Sequence, residues 1–96
     1  MQTWPQYRSE VITDLMAEYG ISRREALENT AWPTYFTIWL NETIEWCRHN
    51  VPTKRQWNSL CRDVNRDTIA RRILHDAPDM APRYLAAGLM LPKVNG

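Results

Sequence analysis

Between Thr34 and Val51 the apolar residues gather on one side of a helical wheel. At 100° per residue, Tyr35, Trp46, Trp39, Phe36, Cys47, Leu40, Val51 and Ile44 cover about half the circumference. Asn41, Glu42, Glu45, Arg48 and His49 cover most of the rest. A face this wide must be covered from two sides, so the segment predicts a central helix with other helices laid against it. Period-2 alternation persists nowhere in the chain, and helical periodicity recurs on both sides of this segment. With 96 residues and 44% hydrophobic content, the chain can bury one modest core without disulfides or metal. The expected fold is all-α, a single compact domain of five or six short helices.

The other elements follow from stripes and breakers. A first helix is expected over about 6–19, from the ladder Tyr7, Val11, Leu15 and Tyr19 with Ile12 and Met16 beside it, ended by Gly20. Ser22 and Glu25 have capping-box spacing and open a second helix over about 22–31, with Ala26 and Leu27 inward. It should stop there because Trp32 precedes Pro33 and is pushed toward extended geometry. The central helix takes about 34–50. Pro52-Thr53 then introduces a fourth helix, 54–63, striped by Trp57, Leu60, Cys61 and Val64. Continuing that stripe would require apolar residues where Asp67, Thr68, Arg71 and Arg72 stand. The apolar face reappears rotated, at Ile69, Ala70, Ile73 and Leu74, so a turn capped at Asn65 separates a fifth helix, 66–76. The region of Pro78 and Pro82 ends it, and a last helix is expected over 82–90.

Charge is uneven along the chain. Residues 1–49 hold four Arg against seven Asp or Glu, net −3, whereas residues 50–96 hold eight Lys or Arg against four Asp, net +4. A nearly neutral protein can therefore carry a local anion-binding face, although ordinary solvated helix faces would give the same numbers. Cys47 and Cys61 sit within helical patterns and are expected to be reduced thiols. The opening residues lack a cationic segment followed by an apolar stretch, and no apolar run approaches the length of a membrane span. The expected location is cytoplasmic, with no membrane contact.

Residues Val64-Asn65-Arg66-Asp67-Thr68-Ile69-Ala70-Arg71-Arg72 carry the chemistry. This stretch resembles the turn and recognition helix of helix-turn-helix DNA-binding proteins, which commonly show Gly-Val-Ser-Arg-Asp-Thr-Val followed by basic residues. The resemblance covers about residues 53–74. It implies that Val64 is a buried turn residue, Asn65 the N-cap and Ile69 the buried anchor. Arg66, Asp67, Thr68 and Arg71 would then face the major groove, where Arg pairs with guanine and Thr meets a base edge. Lys54, Arg55 and Arg72 would contact phosphates. The chain departs from the pattern at Asp63, where a Gly is usual, and at Arg62 and Arg72, where apolar residues are usual. Asp67 and Arg71 also have the spacing of an ordinary surface ion pair. The implied function is a small DNA-binding regulatory or accessory protein, of the kind a phage or other mobile element carries, with a homodimer as the expected acting form.

A second candidate turn, Tyr19-Gly20-Ile21-Ser22-Arg23-Arg24, lies in the acidic half and is read as a plain helix–helix corner. The alternative function is a protein-binding module, an inhibitor, adaptor or assembly factor, using Trp4 or Trp32 as exposed anchors. Cys47 and His49 are two residues apart on a helix, about 200° around its axis, so a zinc site is not expected. Gly-rich phosphate loops, nucleophile elbows and metalloprotease motifs do not occur. Neither catalysis nor a cofactor is expected.

Overall fold

Three helices begin at a hydroxyl placed three residues ahead of a Gln or Glu. In the computed structural model, which describes residues 1–89, the Thr3 Oγ1 accepts from the Gln6 N–H at 3.3 Å and the Gln6 side chain accepts from the Thr3 N–H at 3.0 Å. Ser22 with Glu25 and Thr53 with Gln56 repeat the reciprocal arrangement. Asn65 caps a fourth start, its Oδ1 accepting from the Asp67 N–H at 2.8 Å. Each cap stabilises its helix by about 1 kcal/mol. The described residues contain six α-helices and no strand: α1 (Trp4–Tyr19), α2 (Arg23–Leu27), α3 (Trp32–His49), α4 (Lys54–Asp63), α5 (Arg66–Asp76) and α6 (Ala81–Ala86), with a 3-10 turn at Pro78–Met80 before α6. The all-α class is the one its periodicity predicts.

The chain divides into two compact units, residues 2–41 and residues 42 onward together with Met1. In the first, Ile12 and Leu15 of α1 are buried with Ala26 of α2, and Val11, Ile21 and Trp32 pack around them. Beside them lies a cluster of rings. Trp4 meets Trp32 edge-on at 6.1 Å, Phe36 at 5.0 Å and Trp39 at 5.8 Å, and stacks on Tyr7 at 5.9 Å. Trp39 is fully buried, and its indole N–H donates to the Gln2 carbonyl at 3.0 Å, fastening the start of the chain.

In the second unit the buried set is Ile44 and Cys47 of α3, Trp57 and Leu60 of α4, Val64, then Ile69, Ala70 and Ile73 of α5. Ala77, Met80, Tyr84 and Leu89 complete it. The two fully buried Ile of α5 contribute roughly 1.5–3 kcal/mol each. Tyr84 stands edge-on to Trp57 at 5.6 Å. Its hydroxyl lies 2.9 Å from the carbonyl oxygens of both Cys47 and Asn50, so one proton is shared between two acceptors at the end of α3. These carbonyls have no partner further along the helix, and Tyr84 supplies one from 37 and 34 residues away.

The bounds of α4 and α5 agree with expectation, and four other expectations need correction. Helix α1 begins at Trp4, because the Thr3–Gln6 box and Pro5 together start it early. Helix α2 ends at Leu27: Asn29 Oδ1 accepts from the Ala31 N–H at 2.8 Å and turns the chain. Helix α3 begins at Trp32 itself, since Pro33 falls in its first turn, where a missing N–H costs nothing. The last helix ends at Ala86, and the part of the expected range at Met90 lies outside the described residues. The inward face of α1 is also narrower than its aromatic ladder suggests. Tyr19 is 66% exposed and Met16 37%, and in α2 Leu27 is 44% exposed while Ala26 is buried.

Candidate nucleic-acid interface

Helices α4 and α5 are joined by two residues. Val64 is extended, at φ −134° and ψ 142°, and Asn65 is the cap. Val64 and Ile69 are both buried, as a helix-turn-helix pair requires of its turn and anchor residues. Asp63 ends α4 without needing left-handed geometry, because Val64 turns extended directly after it. Arg62 is exposed, and so is Arg72. The apolar side of α5 is thus stapled by Ile69, Ala70 and Ile73, leaving Thr68, Arg71 and Arg72 at the solvent.

The charged residues form two groups. Lys54 opens α4, Arg66 opens α5, and both line one groove of about 200 Å³ with Trp57, Asn58, Cys61, Gly88 and Leu89. Arg66 is partly buried, with its Nε enclosed, so it lies in the groove wall and does not stand out from the helix. That position differs from the base-reading one implied by the resemblance. Arg55 is exposed on α4, and Thr68, Arg71 and Arg72 are exposed on α5; none of the four lines the groove. Asp67 is partly buried in the first turn of α5, where a carboxylate suits the helix dipole. The expected Asp67–Arg71 pair does not form. Arg72 Nε instead lies 3.6 Å from Asp76 Oδ2, one turn on, and His75 Nδ1 lies 2.9 Å from Asp76 Oδ1. The His75 hydrogen bond, and then the Arg72 charge, hold the Asp76 carboxyl below its usual range.

Asn58, Cys61, Gly88 and Leu89 were not among the expected site residues. A signal for two of them existed: Lys54, Trp57, Asn58 and Cys61 fall at i, i+3, i+4 and i+7, one face of α4. Gly88 gave none. It adopts φ +76°, and a Cβ there would sit 3.1 Å from Lys54 Cε and 3.3 Å from its Nζ. The glycine therefore lets the lysine tail lie across the end of α6. Burial raises the Cys61 thiol above its usual pKa, the Arg66 charge opposing this only in part, so the thiol is neutral at pH 7. Burial raises Cys47 as well, and both cysteines are free.

Trp4 and Trp32 are partly buried against each other and against further rings, so neither is the exposed anchor expected of it. The Trp32 indole N–H is also satisfied, donating to the Leu27 carbonyl at 3.1 Å. At the second candidate turn, α2 has only five residues, and Arg24 is paired with Glu28 at 3.2 Å. Among the described residues no group of three or more His, Cys, Asp or Glu is placed to hold a metal ion. No helix among them is long and apolar enough to cross a membrane. Compared with protein-family models, with curated proteins and with solved structures, the chain finds no match.

Proposed function

We propose that the protein binds duplex DNA through α4 and α5, in the manner of a helix-turn-helix protein. One observation carries the reading: a two-residue turn joins helices whose apolar sides are buried, while Lys54, Arg55, Arg71 and Arg72 remain exposed. Residues 54–76 hold six Lys or Arg against three Asp, a net +3 in a chain whose total is +1. In this reading Thr68 and Arg71 meet base edges, and Arg55, Arg72 and Lys54 meet phosphates. One such module covers little DNA, so two copies would act together. The protein would serve as a regulator or accessory factor in the cytoplasm, in the setting of a phage or other mobile element.

Fluorescence anisotropy on random-sequence duplex at about 50 and 200 mM salt tests it. Affinity should fall steeply with salt, and Arg55→Ala/Arg72→Ala should flatten the log–log slope by about 2, near 0.9 per lost phosphate contact. Absence of binding at the lower salt, or a double variant that binds like wild type, sinks the reading. A protein-docking role is the second reading, favoured by the exposure of Met16, Tyr19 and Leu27.

A further inference from the structure

The groove bounded by Lys54 and Arg66 has properties that duplex binding does not demand. Its two cations come from different helices, and no acid occurs among the described lining residues. Lys54 has no ion-pair partner among the described residues, and Gly88 leaves room for its tail to lie along the groove. Asn58 adds an amide. Trp57 is buried in the wall, 3% exposed, and its indole N–H has no hydrogen-bond partner among the described residues. The Cys61 thiol, kept neutral by burial, does not repel an anion. The volume of about 200 Å³ far exceeds the roughly 15 Å³ that admits a single water. It falls short of the roughly 300 Å³ at which pockets for drug-sized ligands begin, so the groove suits a group, not a large organic molecule.

We infer that this groove binds a phosphate group between Lys54 and Arg66, with Asn58 as a further donor. A carboxylate is satisfied by one guanidinium. Two separate cations with an added amide match a tetrahedral group that carries more charge and more acceptor oxygens. The inference goes beyond the duplex reading, because the phosphate can belong to a nucleic-acid backbone or to a small phosphomonoester.

The test is a titration of the ¹⁵N-labelled protein with inorganic phosphate at constant ionic strength, following the Trp57 indole N–H and the Asn58 amide. Acetate serves as the control anion. The expected result is a saturable shift with phosphate and none with acetate. Lys54→Glu and Arg66→Gln should each weaken it roughly tenfold or more, the worth of a charge-assisted hydrogen bond. Lys54 is exposed at the first position of α4, where Glu is well tolerated, and the dispersion of the spectrum reports folding in the same experiment. No saturable shift, an equal shift with acetate, or an unchanged response in Lys54→Glu overturns the inference. Two further arms identify the source. Duplex DNA that displaces phosphate from these resonances assigns the backbone. Tighter binding of ribose 5-phosphate, with duplex inert, assigns a phosphomonoester, and in that outcome the DNA reading fails while the phosphate site stands.

Discussion

Replacing Tyr84 with Phe removes one oxygen atom from the most remote fastening in the C-terminal unit. The ring is fully buried and retains its edge-on contact with Trp57, so no apolar burial is lost. What disappears is the hydroxyl that lies 2.9 Å from the carbonyls of Cys47 and Asn50. The net bond is worth about 0.5–1.5 kcal/mol, and a buried carbonyl left without a donor costs about 1–3 kcal/mol. The expected loss for Tyr84→Phe is therefore about 2 kcal/mol, a Tm decrease of roughly 10 °C for a chain of this size. Urea unfolding followed by circular dichroism measures it, with an unchanged m-value showing that only the native state is affected. Tyr84→Leu should cost more, since the edge-to-face pair contributes a further ~0.5–1.5 kcal/mol and the smaller side chain leaves a cavity. A loss below about 0.5 kcal/mol for the Phe variant would show that the end of α3 does not depend on the phenol.

Two other perturbations probe different parts of the chain. Gly20 ends α1 at φ +61° with no atom within 4 Å of a built Cβ, so Gly20→Ala should destabilise by about 1 kcal/mol through backbone strain alone, and Gly20→Asn by less; equal stability of the two variants would refute the strain account. Asp76 has its pKa lowered in the fold by His75 and Arg72, so its contribution is complete above its unfolded pKa of about 4 and drains away as pH falls through the folded value. Asp76→Asn should be less stable than wild type at pH 7, with the difference closing in acid; urea midpoints that differ equally at pH 7 and pH 3 would count against it.

Local rules read the α4–α5 region well. The hydroxyl of Thr53, the amide of Asn65 and the phase jump from Val64 to Ile69 are short-range signals, and short-range forces set those helix ends. Similar rules misplaced Trp32, because the restriction on a residue before proline competes with the ease of proline in a first turn, and the second effect wins. The first unit partly buries Trp4 and Trp32 through ring packing between residues 28 apart, which no periodicity reports. The role of Tyr84 leaves no trace in the sequence pattern for a related reason: its partners are main-chain atoms at Cys47 and Asn50, invisible to side-chain patterning. The groove was half legible, since the Lys54 face of α4 can be drawn on a wheel. Its meeting with Arg66 depends on where Gly88 and Leu89 bring the chain back.

The two thiols also make the second unit its own stopwatch. Cys47 is fully enclosed and Cys61 only partly so. A thiol reagent should modify Cys61 directly and reach Cys47 only during an opening of the surrounding helices. In a Cys61→Ser background, the labelling rate of Cys47 relative to a free thiol then measures how often that region opens, without denaturant and at working temperature. Repeating it with phosphate present would show whether filling the groove slows the clock.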